Sequence, residues 1–182
     1  MEPLVHGWAV PRRYGAAPDE ARRVRESCGL ADWSWVTKID LKEPAVYRPA
    51  PFLIWQVGGP HGLVICEPSA RHTVDLWVAS QGAFATDVTG GLACFLIAGP
   101  RSGEVLRKLT SLDIMAIPDQ AAGQASVAHT HGTVLRQDVG GILAFYLLVG
   151  RDYGFSVWHD LLHAGREFHL RPVGVDAIGL LR

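Results

Sequence analysis

Two carboxylates of the sequence stand beside glycine pairs, where a side chain could take part in proton transfer. Asp87 occurs with Thr89 in TDVTGG, and Asp138 occurs in RQDVGG. A carboxylate held close to a reacting group can act as a general acid or base. However, Asp and Thr before Gly-Gly are typical of tight turns, in which their side chains form hydrogen bonds with the backbone. The pattern therefore favours a structural role at both turns.

Histidine and cysteine side chains could ligate a metal ion. His129 and His131 are two residues apart, which would place both on one face of a strand, but no third ligand is obvious nearby. Cys28, Cys66 and Cys94 are odd in number and far apart, which fits neither a disulfide framework nor a CxxC metal site. We predict no metal centre and three buried structural thiols.

Tryptophan is concentrated in the first third of the chain, at Trp8, Trp33, Trp35 and Trp55. Flat aromatic faces in such a cluster could line a pocket for a planar ligand or form a partner interface. Core packing is the favoured explanation for most of them, because large aromatic side chains dominate core energetics.

Charge and hydropathy exclude two classes of partner. The 182 residues contain 17 Lys and Arg against 18 Asp and Glu, for a formal net charge of −1, and no basic run exceeds two residues. A nucleic-acid-binding surface is therefore not expected. The longest apolar stretches, such as LAFYLLV at 143–149, are too short to span a membrane, and the chain begins without the basic segment of a signal peptide. We expect a cytoplasmic protein.

Helix signals occur at four places, each with start and stop residues at its ends. The predicted helices cover 18–29, 68–82, 101–112 and 152–165, and a shorter helix follows the turn Pro172-Val173-Gly174. The length fits a single domain over 1–182, or two intimately packed subdomains of about 1–82 and 83–182.

Strand signals lie between the helices and come mostly in pairs. A strand is predicted over 33–41, and glycine turns predict hairpins of 52–57 with 62–67 and of 132–138 with 142–149. A further pair is predicted on the two sides of Thr89-Gly90-Gly91, and 43–51 and 118–125 are predicted loops. Helices that alternate with hairpins indicate an α+β fold of mainly antiparallel sheets with helices packed on them.

Three ordered stretches carry a resemblance that covers nearly the whole chain. They are HGWAVPRRYG with EARRVRESCGLADWSWVTKIDL, then FATDVTGGLACFLIAGPRSGEVLRKLTSLDI, and finally the segment from YLLVG to the last residue. The positions that match are Trp8, Pro11, Tyr14, Arg25, Gly29, Leu30, Asp32, Ser34, Lys38, Asp87, Thr89, Gly99, Pro100, Leu106 and Asp113. The chain resembles the folate-binding half of the glycine cleavage T-protein (aminomethyltransferase) family, and its middle and end resemble the gamma subunit of heterotetrameric sarcosine oxidase.

The resemblance implies a fold and a possible cofactor, tetrahydrofolate, for which Trp8, Tyr14 and Arg182 are the implied contacts. It also exposes three departures. The segment IWQVGGPHGLVICEPSARH has no acid near its glycines. Its nearest acid, Glu67, is expected to stabilise the start of the following helix by capping it or by interacting with the helix dipole. Ile142 replaces an acid that the family places against the pterin ring. Further along, the charged pair that the family carries before Arg182 is missing.

Two functional hypotheses follow. The favoured one is an accessory, non-catalytic subunit similar to the sarcosine oxidase gamma subunit, which packs on a larger flavoprotein amine oxidase subunit. The alternative is a stand-alone small enzyme or binding protein that uses the folate-fold cavity for aminomethyl transfer or another small ligand. Lost acids favour the first hypothesis, and the T-protein-like opening keeps the second open.

The end of the chain suggests where a partner binds. In the T-protein family the helix after Pro-x-Gly continues into a second half. An exposed apolar stripe is therefore expected here, formed by Val175, Ile178 and Leu181 or by Val175 and Leu181 with Leu180. We therefore expect a homo-oligomer or a flavoprotein partner at this end, with the Trp-rich opening as the second candidate surface.

Overall fold

A computed structural model describes residue 5 and the ranges 7–42 and 50–182, so most of the loop predicted over 43–51 lies outside the described residues. The helices and strands in chain order are α1 (Ala17–Glu26), β1 (Gly29–Asp32), β2 (Thr37–Lys42), β3 (Trp55–Gly58), β4 (His61–Cys66), α2 (Arg71–Gln81), β5 (Phe84–Asp87), β6 (Leu92–Ala98), α3 (Ser102–Arg107), β7 (Ala122–Val127), β8 (Thr130–Arg136), β9 (Ala144–Gly150), α4 (Gly154–Ala164), β10 (Arg171–Pro172) and α5 (Val175–Gly179).

The strands form two sheets. The larger sheet has the order β10-β1-β6-β9-β8-β7, and the smaller has the order β3-β4-β2-β5. Every neighbouring pair is antiparallel except β1 and β10, which run parallel. The predicted α+β class with mainly antiparallel sheets is confirmed, as are the hairpins β3-β4 and β8-β9.

Both faces of the larger sheet are covered. On one face, alternate residues of β6 and β9 pack against α3 and α4 through side chains such as Leu106, Val157 and Leu161. On the other face, a second cluster includes Trp33, Trp35 and Trp55 together with residues of α1 and α5. The smaller sheet packs one face on α2. Strands β6 and β9 are buried almost throughout because both of their faces are covered.

The first predicted helix ends earlier than expected. Helix α1 begins with the acidic residues Asp19 and Glu20 in its first turn and finishes at Glu26. Gly29, predicted to stop the helix, is instead the first residue of β1. A Cβ atom there would lie 2.6 Å from a side-chain carbon of Val24 and 2.9 Å from one of Val173, so this glycine permits close packing of the strand on its neighbours.

The strand predicted over 33–41 is wrong in its first half. Residues 33–36 form a turn between β1 and β2, and strand geometry begins at Thr37. The turn is stabilised by Asp32, whose Oδ1 accepts a hydrogen bond from the Ser34 backbone N–H (2.9 Å). Trp33 and Trp35 are both buried in the core although they lie in this turn. Their burial therefore does not require strand geometry.

The pairing predicted around Thr89-Gly90-Gly91 is also wrong. Strands β5 and β6 both form, but β5 pairs with β2 in the smaller sheet and β6 pairs with β1 and β9 in the larger one. A short 3-10 turn over Thr89–Gly91 carries the chain from one sheet to the other. The burial pattern explains the result: β5 is exposed along its whole length, as suits an edge strand, whereas β6 is a central strand.

Part of the loop predicted over 118–125 belongs to the larger sheet. Strand β7 begins at Ala122 and pairs with β8, although its Ala, Gly and Gln residues have low strand propensity. The β7-β8 turn contains His129 at a positive φ of 64°, so His129 and His131 do not share a strand face as predicted. Among the described residues, no cluster of three or more potential metal ligands occurs.

The predicted apolar stripe at the end of the chain is wrong. Ile178 and Leu181 are buried and Val175 is half-buried, all within the core cluster that contains the tryptophans. Helix α5 packs against α1, and Arg25 of α1 donates a hydrogen bond to the Leu180 carbonyl (2.7 Å). The chain's own first helix therefore covers the face that sequence reasoning assigned to a partner. Of this group only Leu180 is exposed.

In the described ranges, no helix is long and apolar enough to cross a membrane. The division into subdomains near residue 82 stays a prediction.

Candidate functional site

An open cleft of about 430 Å³ lies beside the helical face of the larger sheet. We call it the aromatic cleft, and it is lined by Pro11, Tyr14, Asp32, Ser34, Ala93, Phe95, Gly154, Phe155 and Trp158. Its walls come from the segment before α1, the end of β1, the start of β6 and the first turns of α4. The rings of Phe95 and Trp158 lie 5.7 Å apart and form its aromatic floor.

The polar groups of the aromatic cleft are a carboxylate, a hydroxyl and the Tyr14 side chain. The Ser34 hydroxyl donates to the Cys94 carbonyl (3.3 Å) and accepts from the Cys94 backbone N–H (3.1 Å). One oxygen of Asp32 accepts the turn hydrogen bond from Ser34. These bonds agree with a structural role for Asp32 and Ser34, and they leave the Ser34 hydroxyl committed to the backbone of β6.

A buried cation lies behind this turn. The Lys38 ammonium is fully buried and donates to the backbone carbonyls of Ser34 (2.9 Å), Val36 (3.0 Å) and Thr89 (3.4 Å). Burial lowers the pKa of Lys38 and raises the pKa of the neighbouring Cys94 thiol to about 12. Because a thiol with that pKa stays protonated near neutral pH, Cys94 supplies no thiolate nucleophile.

A second cleft, of about 350 Å³, lies on the opposite side of the larger sheet. We call it the Trp-Arg cleft, and it is lined by Trp33, Trp35, Glu67, Val175, Asp176, Gly179 and Arg182. Both of its carboxylates are paired with arginines. Glu67 accepts a hydrogen bond from Arg182 (2.9 Å), and Asp176 accepts one from Arg12 (2.7 Å). Close by, burial raises the pKa of the Tyr146 phenol to about 12.

The predicted contacts Trp8, Tyr14 and Arg182 are spread over the molecule. Tyr14 lines the aromatic cleft and Arg182 lines the Trp-Arg cleft. Trp8 is half-buried, and the guanidinium of Arg151 lies 5.6 Å from its ring centre. The structure therefore does not gather these three side chains into one of the two clefts, and their role as tetrahydrofolate contacts stays a prediction.

Ile142 lies at the tip of the β8-β9 hairpin, where its backbone pairs with Val139. Its side chain is half-buried against the tryptophan-containing core. An apolar side chain therefore occupies the position at which the family resemblance implies an acid.

The turn carboxylates behave as their sequence context predicts. Asp87 accepts a hydrogen bond from the Thr89 backbone N–H (2.9 Å) and forms an ion pair with Arg71. Asp138 pairs with Arg136 and accepts a long hydrogen bond from the Ala144 backbone N–H (3.4 Å). Glu67 differs from the expectation, since it forms no side-chain cap at the helix start and pairs with Arg182 instead.

Sequence reasoning missed the carboxylate that holds the wall of the aromatic cleft. Glu20 is 1% exposed and accepts hydrogen bonds from the backbone N–H groups of Tyr14 (2.6 Å), Gly15 (2.5 Å) and Gly174 (2.8 Å). In the sequence it is one of two acids in a first helical turn, where a dipole role is the ordinary interpretation. Two of its partners, Tyr14 and Gly15, lie just before the helix, but the third, Gly174, is 154 positions away and is brought in only by tertiary structure.

The chain belongs to the family described as the GCVT N-terminal domain, whose model matches residues 52–182. An aminomethyltransferase of Halothermothrix orenii is 23% identical over 210 residues, which cover 97% of this chain and 59% of that protein. The chain thus spans less than two thirds of the curated aminomethyltransferases it matches.

Similarity to sarcosine oxidases is found in both sequence and fold. Sarcosine oxidase subunit alpha of Rhizobium meliloti is 35% identical over 99 residues, which cover 52% of this chain and 10% of that protein. A chain of heterotetrameric sarcosine oxidase from Corynebacterium sp. U-96 has the same fold, with a TM-score of 0.64 and 16% identity over 84% of this chain and 92% of that one. These relationships confirm the predicted likeness to the folate-binding half of the T-protein and sarcosine oxidase superfamily.

Proposed function

We propose that this protein is an accessory, non-catalytic subunit of a flavin-dependent amine oxidase that works in one-carbon metabolism. The observation that carries the proposal is Ile142, which places an apolar side chain where the family resemblance implies a pterin-holding carboxylate. A pterin edge presents several N–H donors. Leaving them unpaired in a buried site would cost about 1–3 kcal/mol each.

The acids of the Trp-Arg cleft do not compensate for the missing one. In the Trp-Arg cleft, Glu67 and Asp176 are each held by an arginine. A carboxylate that already accepts from a guanidinium has to give up a charge-assisted hydrogen bond before it can receive a pterin N–H. The described residues therefore do not fit tetrahydrofolate in the mode that the resemblance implies, and no catalytic step is assigned to it.

The kinship with sarcosine oxidases supports the accessory role. The matched chain in the heterotetramer is covered over 92% of its length, so the likeness extends over nearly a whole subunit. The similarity to a sarcosine oxidase alpha subunit reaches 35% identity over about half of this chain. We infer that the partner is a larger flavoprotein subunit.

We expect the purified protein to bind tetrahydrofolate with a Kd weaker than about 1 μM, equivalent to about −8 kcal/mol, because the carboxylate anchor is missing. Isothermal titration calorimetry measures this directly, with a T-protein aminomethyltransferase as the positive control. Submicromolar affinity would contradict the expectation and favour a stand-alone enzyme that transfers aminomethyl groups.

Assembly tests the accessory role itself. The full chain is co-expressed with the flavoprotein amine oxidase subunits encoded in the same genome, and the mixture is analysed by sedimentation velocity. We expect a stoichiometric complex whose amine-oxidising turnover changes less than about twofold when Glu67 of this chain is replaced by Gln. Failure to form a complex, or turnover that depends on Glu67, would refute the accessory, non-catalytic role.

A further inference from the structure

We propose that the aromatic cleft is the face on which the larger flavoprotein subunit docks. The occupant is an apolar side chain of that subunit that enters between Tyr14 and Phe155, with a Lys or Arg beside it that meets Asp32. The identity of the partner rests on the proposed function, whereas the location of the face rests on the observations that follow.

The rim of the aromatic cleft is more exposed than internal packing explains. Phe155 is 79% exposed and Tyr14 is 51% exposed. Helix α4 packs on the sheet through Val157, Leu161 and Ala164, so Phe155 is not part of its buried face. Its ring contacts His159 on the same helix, with 4.5 Å between ring centres. Two large rings at one opening form the apolar surface that protein interfaces use.

The shape of the cleft favours a protein over a small molecule. Sites for small ligands usually enclose 70–90% of the ligand surface, which requires closed walls. Here Phe155 is 79% exposed, and a ligand seated on the floor of Phe95 and Trp158 would leave most of that ring uncovered. A protein surface that inserts one side chain covers both the floor and the rim.

The carboxylate of the aromatic cleft favours a basic residue of the partner next to the apolar side chain that enters the cleft. Asp32 provides its one carboxylate, and only its Oδ1 has a hydrogen bond among the described residues, from the Ser34 backbone. The nearest buried cation, Lys38, donates to three backbone carbonyls and to neither oxygen of Asp32. A basic residue of the partner would therefore find a carboxylate that no arginine in the described part of the chain occupies.

Two other exposed apolar side chains, both on the smaller sheet and its helix, lack these features. Phe84 of β5 is 73% exposed and Leu76 of α2 is also exposed, but both lie on the smaller sheet and its helix, outside the aromatic cleft. Phe84 is thus a matched control for Phe155, since the two rings are similarly exposed and belong to different faces.

The test measures binding of full-length variants to the purified flavoprotein subunit by surface plasmon resonance. Phe155→Ala is expected to weaken binding at least 30-fold, as a central aromatic anchor does, and Phe84→Ala to change it less than threefold. Asp32→Asn keeps the acceptor for the Ser34 N–H and removes the charge, so it is expected to weaken binding about fivefold and to reduce the salt dependence. Unchanged thermal melting of each variant confirms that its fold is intact.

The outcomes separate the inference from the proposed function. If the wild-type chain binds the flavoprotein and Phe155→Ala binds equally well, the docking face is wrong and the accessory role stands. If the wild-type chain does not bind it, both are wrong. If Phe155→Ala instead converts a dimer of this chain alone into a monomer, the occupant is a second copy, and the inference about the flavoprotein is overturned.

Discussion

Replacement of Gly99 by alanine is expected to lower the free energy of unfolding by about 4 kcal/mol, which is much of the stability of an ordinary domain. Gly99 follows β6 with φ at +125°, a region that L-residues rarely adopt. An added Cβ would lie 2.6 Å from the Val24 carbonyl oxygen and 2.7 Å from the Cys28 Cα, and closer still to the Ser27 carbonyl oxygen. All three neighbours are backbone atoms, so no rotamer change relieves the overlap. Urea unfolding followed by circular dichroism measures the loss.

Gly141→Ala is the matched control for Gly99→Ala. Gly141 also has a positive φ, of +77°, but nothing lies within 4 Å of its added Cβ. Its replacement is expected to cost about 1–2 kcal/mol from backbone conformation alone. Equal losses for the two variants would show that conformation, and not the approach of β6 to the end of α1, accounts for the requirement at Gly99.

Glu20→Ala is expected to lower the free energy of unfolding by at least about 3 kcal/mol. The change removes the acceptor of three backbone N–H groups, of which that of Gly174 is buried and those of Tyr14 and Gly15 are part-buried. A buried N–H group without a partner costs about 1–3 kcal/mol. The loss extends to the site, because these bonds tie Tyr14 of the aromatic cleft to α1 and to the turn before α5. Differential scanning calorimetry gives the change in stability, and the Phe155-dependent binding of the flavoprotein subunit gives the effect on the cleft.

Two variants distinguish the stabilising effect of the buried Glu20 carboxylate from the effect of negative charge on α1 in general. Glu20→Gln keeps one oxygen acceptor and is expected to lose about half as much stability as Glu20→Ala. Glu26→Ala, at an exposed position of the same helix, is expected to change stability by less than about 0.5 kcal/mol. A small effect of Glu20→Ala, similar to that of Glu26→Ala, would contradict the role assigned to the three hydrogen bonds.

Local sequence signals predicted the elements that form through short-range interactions. Helices α1, α2 and α4 have proline or acidic residues near their starts, and the β8-β9 hairpin has a Gly-Gly turn at residues 140–141. Asp87 and Thr89 form the turn that their spacing indicates. In each case the residues that determine the conformation are a few positions apart, so their periodicity and turn chemistry are visible in one dimension.

The candidate site was predicted less well than the elements around it. The family resemblance implies Tyr14 only as a tetrahydrofolate contact, which stays a prediction. Phe155 and Trp158 appear in sequence only as two apolar positions of a helix. Their periodicity is the same whether they face the core or the solvent side of a cleft. That choice depends on where α4 meets β6 and the segment before α1, and these contacts join residues more than 50 positions apart.

The sequence by itself determined the α+β class, most helices and hairpins, and the family to which residues 52–182 belong. Only the tertiary structure decided that β5 and β6 enter different sheets, that α5 buries its apolar side against α1, and that Glu20 accepts a hydrogen bond from the distant Gly174. The physical reason is that burial and hydrogen-bond satisfaction depend on the whole packed chain. An apolar stripe such as Val175, Ile178 and Leu181 shows that a face needs cover, but it does not specify whether the cover comes from a partner or from the chain's own first helix.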